Sequence, residues 1–217
     1  MERTIVSALK LEDGTLVCKT KRGRSYKVFK KQGDLDGACA TYCVIMNLLI
    51  LGVIKDKDTE WNAMYKDSAT KRLFREFCEK YGMHRGGKTY YKIKRMLDAS
   101  FIDKVKTLHR NTYDESSVNL ITETILKRDI PVIMSIRNHA LLAVGIEQEE
   151  GVTTKILCLD PSGDYMENTS RRWNAEIQIQ DGATCQKFLY TRRHMGKFLE
   201  PKKERLEDLL IITKNYE

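Results

Sequence analysis

Residues Cys39 to Leu51, CATYCVIMNLLIL, run without a single charged side chain. The run is longer than a typical strand and apolar nearly all round, which describes a helix with no face for solvent. Gly52 follows as a stop signal. The rest of the chain must therefore wrap a buried central helix. Just ahead lies Gln32-Gly33-Asp34-Leu35-Asp36-Gly37-Ala38, a turn rich in Gly and Asp that puts Cys39 in the first helical turn. There the unpaired N–H groups and the helix dipole favour an anion, so they lower a thiol pKa and can hold a developing oxyanion. Gln32, on the loop before the turn, is placed to add a second donor through its side-chain amide.

The surrounding pattern changes character along the chain. Residues 4–31 read as strands: TIVSALKL and TLVCKT joined at Asp13-Gly14, then SYKVFKK. Helices are expected around Ser68–Tyr81, Thr89–Ala99 and Ser116–Arg128, where Leu73, Phe74, Phe77 and Cys78, or Ile93, Met96 and Leu97, recur at helical spacing. From Pro131 the chain becomes strand-rich: PVIMSI, HALLAVGIE, TKILCLD, AEIQIQ, KFLYT and DLLIITK, punctuated by Gly151, Pro161-Ser162-Gly163 and Asp181-Gly182. The expected class is α+β with two closely packed lobes in one domain: basic strands over 1–31, a mainly helical lobe over 32–130 carrying the central helix, and an antiparallel β-rich lobe over 131–217. No repeat or Pro/Gly/Ser-rich linker separates them.

Composition narrows the classes. The 217 residues are 41% hydrophobic, ordinary for a folded core. No stretch reaches the roughly 18 to 20 apolar residues that span a bilayer, and the N-terminus lacks a secretory apolar core, so a cytoplasmic protein without a membrane partner is expected. Six cysteines spread along such a chain are expected to be reduced. With no Cys-x-x-Cys pair and with His84, His109, His139 and His194 mutually isolated, no metal and no cofactor is expected. His109 and His194 lie in basic stretches and read as exposed. His84-Arg85-Gly86-Gly87-Lys88 lacks the spacing of a phosphate-binding loop. The net charge of +8 is concentrated at the start, where residues 1–31 carry nine Lys or Arg against Glu2, Glu12 and Asp13. That segment can meet an acidic protein surface or nucleic acid, though the aromatic interleaving of a single-strand binder is thin and nucleic acid is not favoured.

Two further elements complete a chemistry. Asn138-His139 opens the strand HALLAVGIE, and Asp160-Pro161 ends the next strand, TKILCLD. Antiparallel pairing through a turn near Gly151 brings His139 beside Asp160. A carboxylate on one ring nitrogen fixes the tautomer and leaves the other nitrogen for a thiol, the nucleophile, base and orienter of acyl transfer. The order Gln32, Cys39, His139, Asp160 resembles the papain-like cysteine peptidase superfamily, most closely the branch that includes bacteriocin-leader peptidase domains. Cys39-Ala-Thr-Tyr-Cys43 keeps that branch's spacing of two cysteines, and Asp160-Pro161-Ser162-Gly163 keeps its Asp-Pro element. Ala40 stands where the branch has glycine, and Gln32 lies seven residues before Cys39, one more than the pattern.

The resemblance implies peptide or isopeptide hydrolysis through a thioester, with Cys39, His139, Asp160 and Gln32 as catalytic residues and a protein or peptide substrate, and the basic surface suggests that this substrate is acidic or ubiquitin-like. A bacterial effector, a defence protease or a processing peptidase all fit. Cys43, one turn deeper on the same helix face, is the rival nucleophile. The same residues serve an acyltransferase or deamidase of transglutaminase-like character, and a non-catalytic basic binding module is the alternative from another class. Trp173 reads as core rather than as a cover for the dyad.

Overall fold

Among the described residues every strand pairing is antiparallel, and the longest strands join in one sheet that the central helix lies against. The structure is a computed structural model and describes residues 1–33, 38–59, 69–75, 89–111, 114–137, 139–165, 170–180 and 187–215. The described elements run β1 (Glu2–Ile5), β2 (Lys10–Glu12), β3 (Thr15–Lys19), β4 (Ser25–Lys27), α1 (Cys39–Ile50), α2 (Ala69–Arg75), α3 (Tyr90–Ser100), β5 (Val105–Arg110), α4 (Asp114–Arg128) and β6 (Val132–Ile136). They continue with β7 (His139–Glu149), β8 (Val152–Leu159), β9 (Ala175–Gln180), β10 (Lys187–His194), β11 (Lys197–Phe198), β12 (Lys202–Glu204) and β13 (Leu206–Lys214). The large sheet has the order β11-β10-β9-β8-β7-β6-β13-β5, with β1 added to β7 and β12 to β10, and β2-β3-β4 form a small sheet of their own.

α1 is the apolar run of the sequence. Every residue from Ala40 to Ile50 except Tyr42 is buried. The helix ends in paired closures, Gly52 N–H to Leu49 O at 2.8 Å and Val53 N–H to Leu48 O at 2.9 Å, the two bonds of a Schellman stop. Buried Asn47 donates to Pro131 O at 3.2 Å and so fixes the helix against the start of β6. Among the described residues no helix is long and apolar enough to cross a membrane.

Period-two alternation sorts the sheet residues into two cores. Ala140, Leu142 and Val144 of β7, with Leu157 and Leu159 of β8 and Leu210 and Ile212 of β13, face α1, α3 and the small sheet. Leu141 and Ala143, with Ile156, Cys158, Leu209 and Ile211, face α4. The hairpin β7–β8 turns at Glu150-Gly151, both at positive φ, and pairs Glu149 with Val152. That two-residue turn matches strand twist, and it fixes which residues meet at the far end of the hairpin.

Two elements differ from the sequence expectation. The segment TIVSALKL is two strands, because Val6 and Leu9, both fully buried, close a turn between them through Leu9 N–H to Val6 O at 3.1 Å. β1 then continues along the edge of β7 that β6 leaves: β6 pairs with 139–143 and β1 with 145–148. Second, the stretch expected to be mainly helical contributes β5, which pairs along β13. Of the helix expected over Ser68–Tyr81, the described residues Ala69–Arg75 are helical as α2, and Phe77, Cys78 and the His84–Lys88 loop lie outside the described residues.

Candidate active site

Cys39 is the first residue of α1. The N-cap, Ala38, makes no side-chain cap and the first turn of α1 holds no carboxylate, so free N–H groups stand at the sulfur's end of the helix. The sulfur accepts the N–H of Ala140 at 3.3 Å. That N–H is available because the β7–β8 ladder begins only at Leu142 and Leu159. Extending this register sets Asp160 level with Leu141, diagonal to His139 on one face, and His139 Nε2 meets Asp160 Oδ1 at 2.7 Å. With Nε2 on the carboxylate, Nδ1 is the nitrogen left for Cys39, whose thiol pKa the imidazole lowers. His139 and Asp160 belong to the face that looks toward α4, whereas Cys39 comes from the helix on the other face. The two sets meet at the head of β7, past the last β7–β8 pair.

Asp160 is fully buried and held from all sides. Its Oδ1 also accepts the N–H of Ser162 at 2.8 Å, its Oδ2 accepts the phenol of Tyr190, and Arg192 Nη1 lies 3.8 Å from Oδ2. The buried amide of Asn174 clamps its peptide at two points, accepting Asp160 N–H at 2.7 Å and donating to Asp160 O at 2.9 Å. A Cβ at Gly163 would come within 2.8 Å of that amide, so the Pro-Ser-Gly turn needs glycine there. Tyr190 and Asn174 were not found from sequence: each sits in or before an ordinary strand pattern, and their relation to Asp160 is a matter of which strands neighbour which.

Charge and burial oppose each other here, and charge prevails. Burial alone pushes the Cys39 thiol up, but the His139 imidazole and the N–H groups of Ala140 and Ala40 outweigh it and hold the thiol below its ordinary value. Burial disfavours imidazolium, yet bonds to Asp160 and Cys39 push His139 up to about 9. Burial would raise Asp160 too, but His139, Tyr190 and the Ser162 N–H keep it below the usual carboxylate range. The arrangement favours a thiolate and an imidazolium side by side. Cys43 differs: it is fully buried, its thiol donates to Ala140 O at 3.5 Å, and burial drives its pKa well up, with the charges of Cys39 and Asp160 adding to the effect.

Gln32 is tied to the same turn, its N–H donating to Pro161 O at 2.8 Å, and neighbouring Lys31 pairs with Asp164 at 2.7 Å. Residues 34–37 of the turn and Asn138 lie outside the described residues. Trp173 is buried in the core on the α1 side with the Arg3 guanidinium 4.8 Å from its ring centre. His109, expected to be exposed, is partly buried between Tyr90 and Asp208, because β5 turns it inward. His194 is half exposed beside Asp164.

An α+β chain whose central helix begins at a cysteine and lies against an antiparallel sheet carrying His and Asp at adjoining strand ends has the papain-like fold. The solved structure of UfSP from C. elegans shares it, with a TM-score of 0.52 at 15% identity over 98% of this chain. The chain spans about a third of that protein's length, 34%. At this identity the likeness concerns the fold. No family model matches the chain, and no curated protein does.

Proposed function

We propose that this chain is a cysteine peptidase that cleaves a peptide or isopeptide bond through a thioester. The observation that carries the reading is His139 Nε2 bound to Asp160 Oδ1 at 2.7 Å while the Cys39 sulfur sits on the N–H of the next residue, Ala140, at 3.3 Å, which leaves Nδ1 for the sulfur. In this scheme the Cys39 thiolate attacks the scissile carbonyl carbon. The oxyanion that forms is held by N–H groups at the start of α1 and by the Gln32 amide. Imidazolium His139 gives its proton to the leaving amine as the C–N bond breaks. Neutral His139 then takes a proton from water, whose oxygen attacks the thioester, releasing the acid and restoring the thiolate.

The substrate class in this reading is a protein or peptide with an acidic or ubiquitin-like approach surface. The small sheet supports it: Lys10, Lys21, Arg22, Arg24 and Lys27 are exposed there, and association with an acidic partner would weaken with salt. The finer affinity to leader peptidases rests on the Cys39 to Cys43 spacing and the Asp160-Pro161 element alone.

The test is labelling of the intact chain with a thiol-directed peptidase probe, followed by mass spectrometry of a substrate pool. Labelling confined to Cys39 and new peptide termini are expected. Deamidated or cross-linked products would reassign the chain to acyl transfer, and an unlabelled Cys39 would make it a binding module.

A further inference from the structure

We propose that Tyr190 is a positioning residue of this site: its phenol holds Oδ2 of Asp160 so that Oδ1 stays on His139 and the carboxylate does not turn toward Arg192. The inference rests on the cysteine-peptidase reading and extends it to a residue outside the Gln, Cys, His and Asp pattern. Tyr190 lies on β10, opposite Ile177 of β9, and its ring packs against the core on the α4 side, 6.4 Å from the His139 ring. A phenylalanine would pack there equally well. What the hydroxyl adds is one bond, to Asp160 Oδ2.

The competition is visible in the contacts of the carboxylate. Oδ1 has two donors, His139 Nε2 and Ser162 N–H, whereas Oδ2 has Tyr190 near and the Arg192 guanidinium farther off at 3.8 Å. Arg192 carries a full charge at the rim, with its side chain about one-third exposed at 34%. Without the phenol, the strongest partner left for Oδ2 is that cation, and a rotation toward it takes Oδ1 away from the imidazole. Among the described residues, the titratable groups that act on Asp160 are His139 on β7, Cys158 on β8, Tyr190 and Arg192 on β10, and Cys43 on α1. Cys158 and Cys43 stay neutral because burial drives both pKa values well up, so Tyr190 and Arg192 are the groups that decide the carboxylate's orientation toward His139.

The experiment is the rate of Cys39 alkylation by iodoacetamide against pH in the full chain, which needs no substrate. Tyr190→Phe should move the acid limb of thiolate formation upward by about one pH unit, the size of one charge-assisted hydrogen bond, in a chain that a cooperative thermal transition shows to be folded at the assay temperature. In an Asp160→Asn background the same substitution should shift nothing further, since Tyr190 acts only through that carboxylate. A fluorinated tyrosine at position 190, a better donor, should keep the native limb or lower it. An unmoved Tyr190→Phe limb in a chain whose Cys39 is activated overturns this inference alone, as does an equal shift in the Asp160→Asn background. A native Cys39 that alkylates no faster near pH 6 than in the denatured chain overturns the peptidase reading together with it.

Discussion

Cys39 and Cys43 stand one helical turn apart on α1 and address the two backbone groups of one β7 residue, Ala140. Cys39 accepts the N–H of Ala140 at 3.3 Å, and Cys43 donates to its C=O at 3.5 Å. The first sulfur is therefore stabilised as an anion and the second as a neutral thiol. Position on the helix accounts for the rest. At the first turn, free N–H groups and an imidazole offset the cost of burial, while one turn deeper the N–H groups are paired within the helix and desolvation leads, with the charges of Cys39 and Asp160 adding to it. Two identical side chains on one helix face thus acquire opposite chemistry from a displacement of about 5.4 Å.

The contrast breaks most sharply by substitution. Cys39→Ala should abolish turnover and iodoacetamide labelling while leaving the protein folded, and Cys43→Ala should keep both. An active Cys39→Ala with a dead but folded Cys43→Ala would invert the comparison, and activity assays beside circular dichroism decide it. Gln32→Ala tests the oxyanion side of Cys39. Its kcat should fall about 10² to 10³-fold with little change in KM, and a raised KM at normal kcat would make Gln32 a ground-state contact.

Titration sharpens the comparison next. His139 is pushed up from 6.5 to about 9, so its charged pairing is complete below its unfolded value and is lost as pH rises through about 9. Turnover, which needs imidazolium as the acid, should decline tenfold per pH unit above about 9, whereas alkylation of the Cys39 thiolate should not. Asp160 has the opposite sign. Its contribution is present above the unfolded value of 3.8 and is lost only at more acid pH. The smallest effect concerns the deeper thiol: Cys43→Ala should cost about 1 kcal/mol of stability, from the small cavity and the lost contact to Ala140 O, read as a drop in Tm.

What was legible in sequence followed from periodicity and turn chemistry. The apolar run predicted α1 almost to the residue, Gly151 marked the β7–β8 hairpin, and the alternation of HALLAVGIE and TKILCLD predicted the strands that bring His139 to Asp160. Those are local signals, fixed by side chains within a few residues of one another. β5 was missed because its alternation, Val105, Thr107 and His109 inward, is mostly polar and becomes a strand only by pairing with β13 across more than a hundred residues.

The sequence alone determined the buried helix with a cysteine at its N-terminus and the strand ends that carry His139 and Asp160, because hydrophobic spacing, capping and tight turns act over short stretches of chain. Only the tertiary structure decided what surrounds Asp160. Tyr190 reaches it because β10 follows β9 in the sheet, and Asn174 clamps it because the segment before β9 folds back along β8. Sheet order and register are set by the packing of two whole faces against α1 and α4, a sum over distant contacts that no local pattern records.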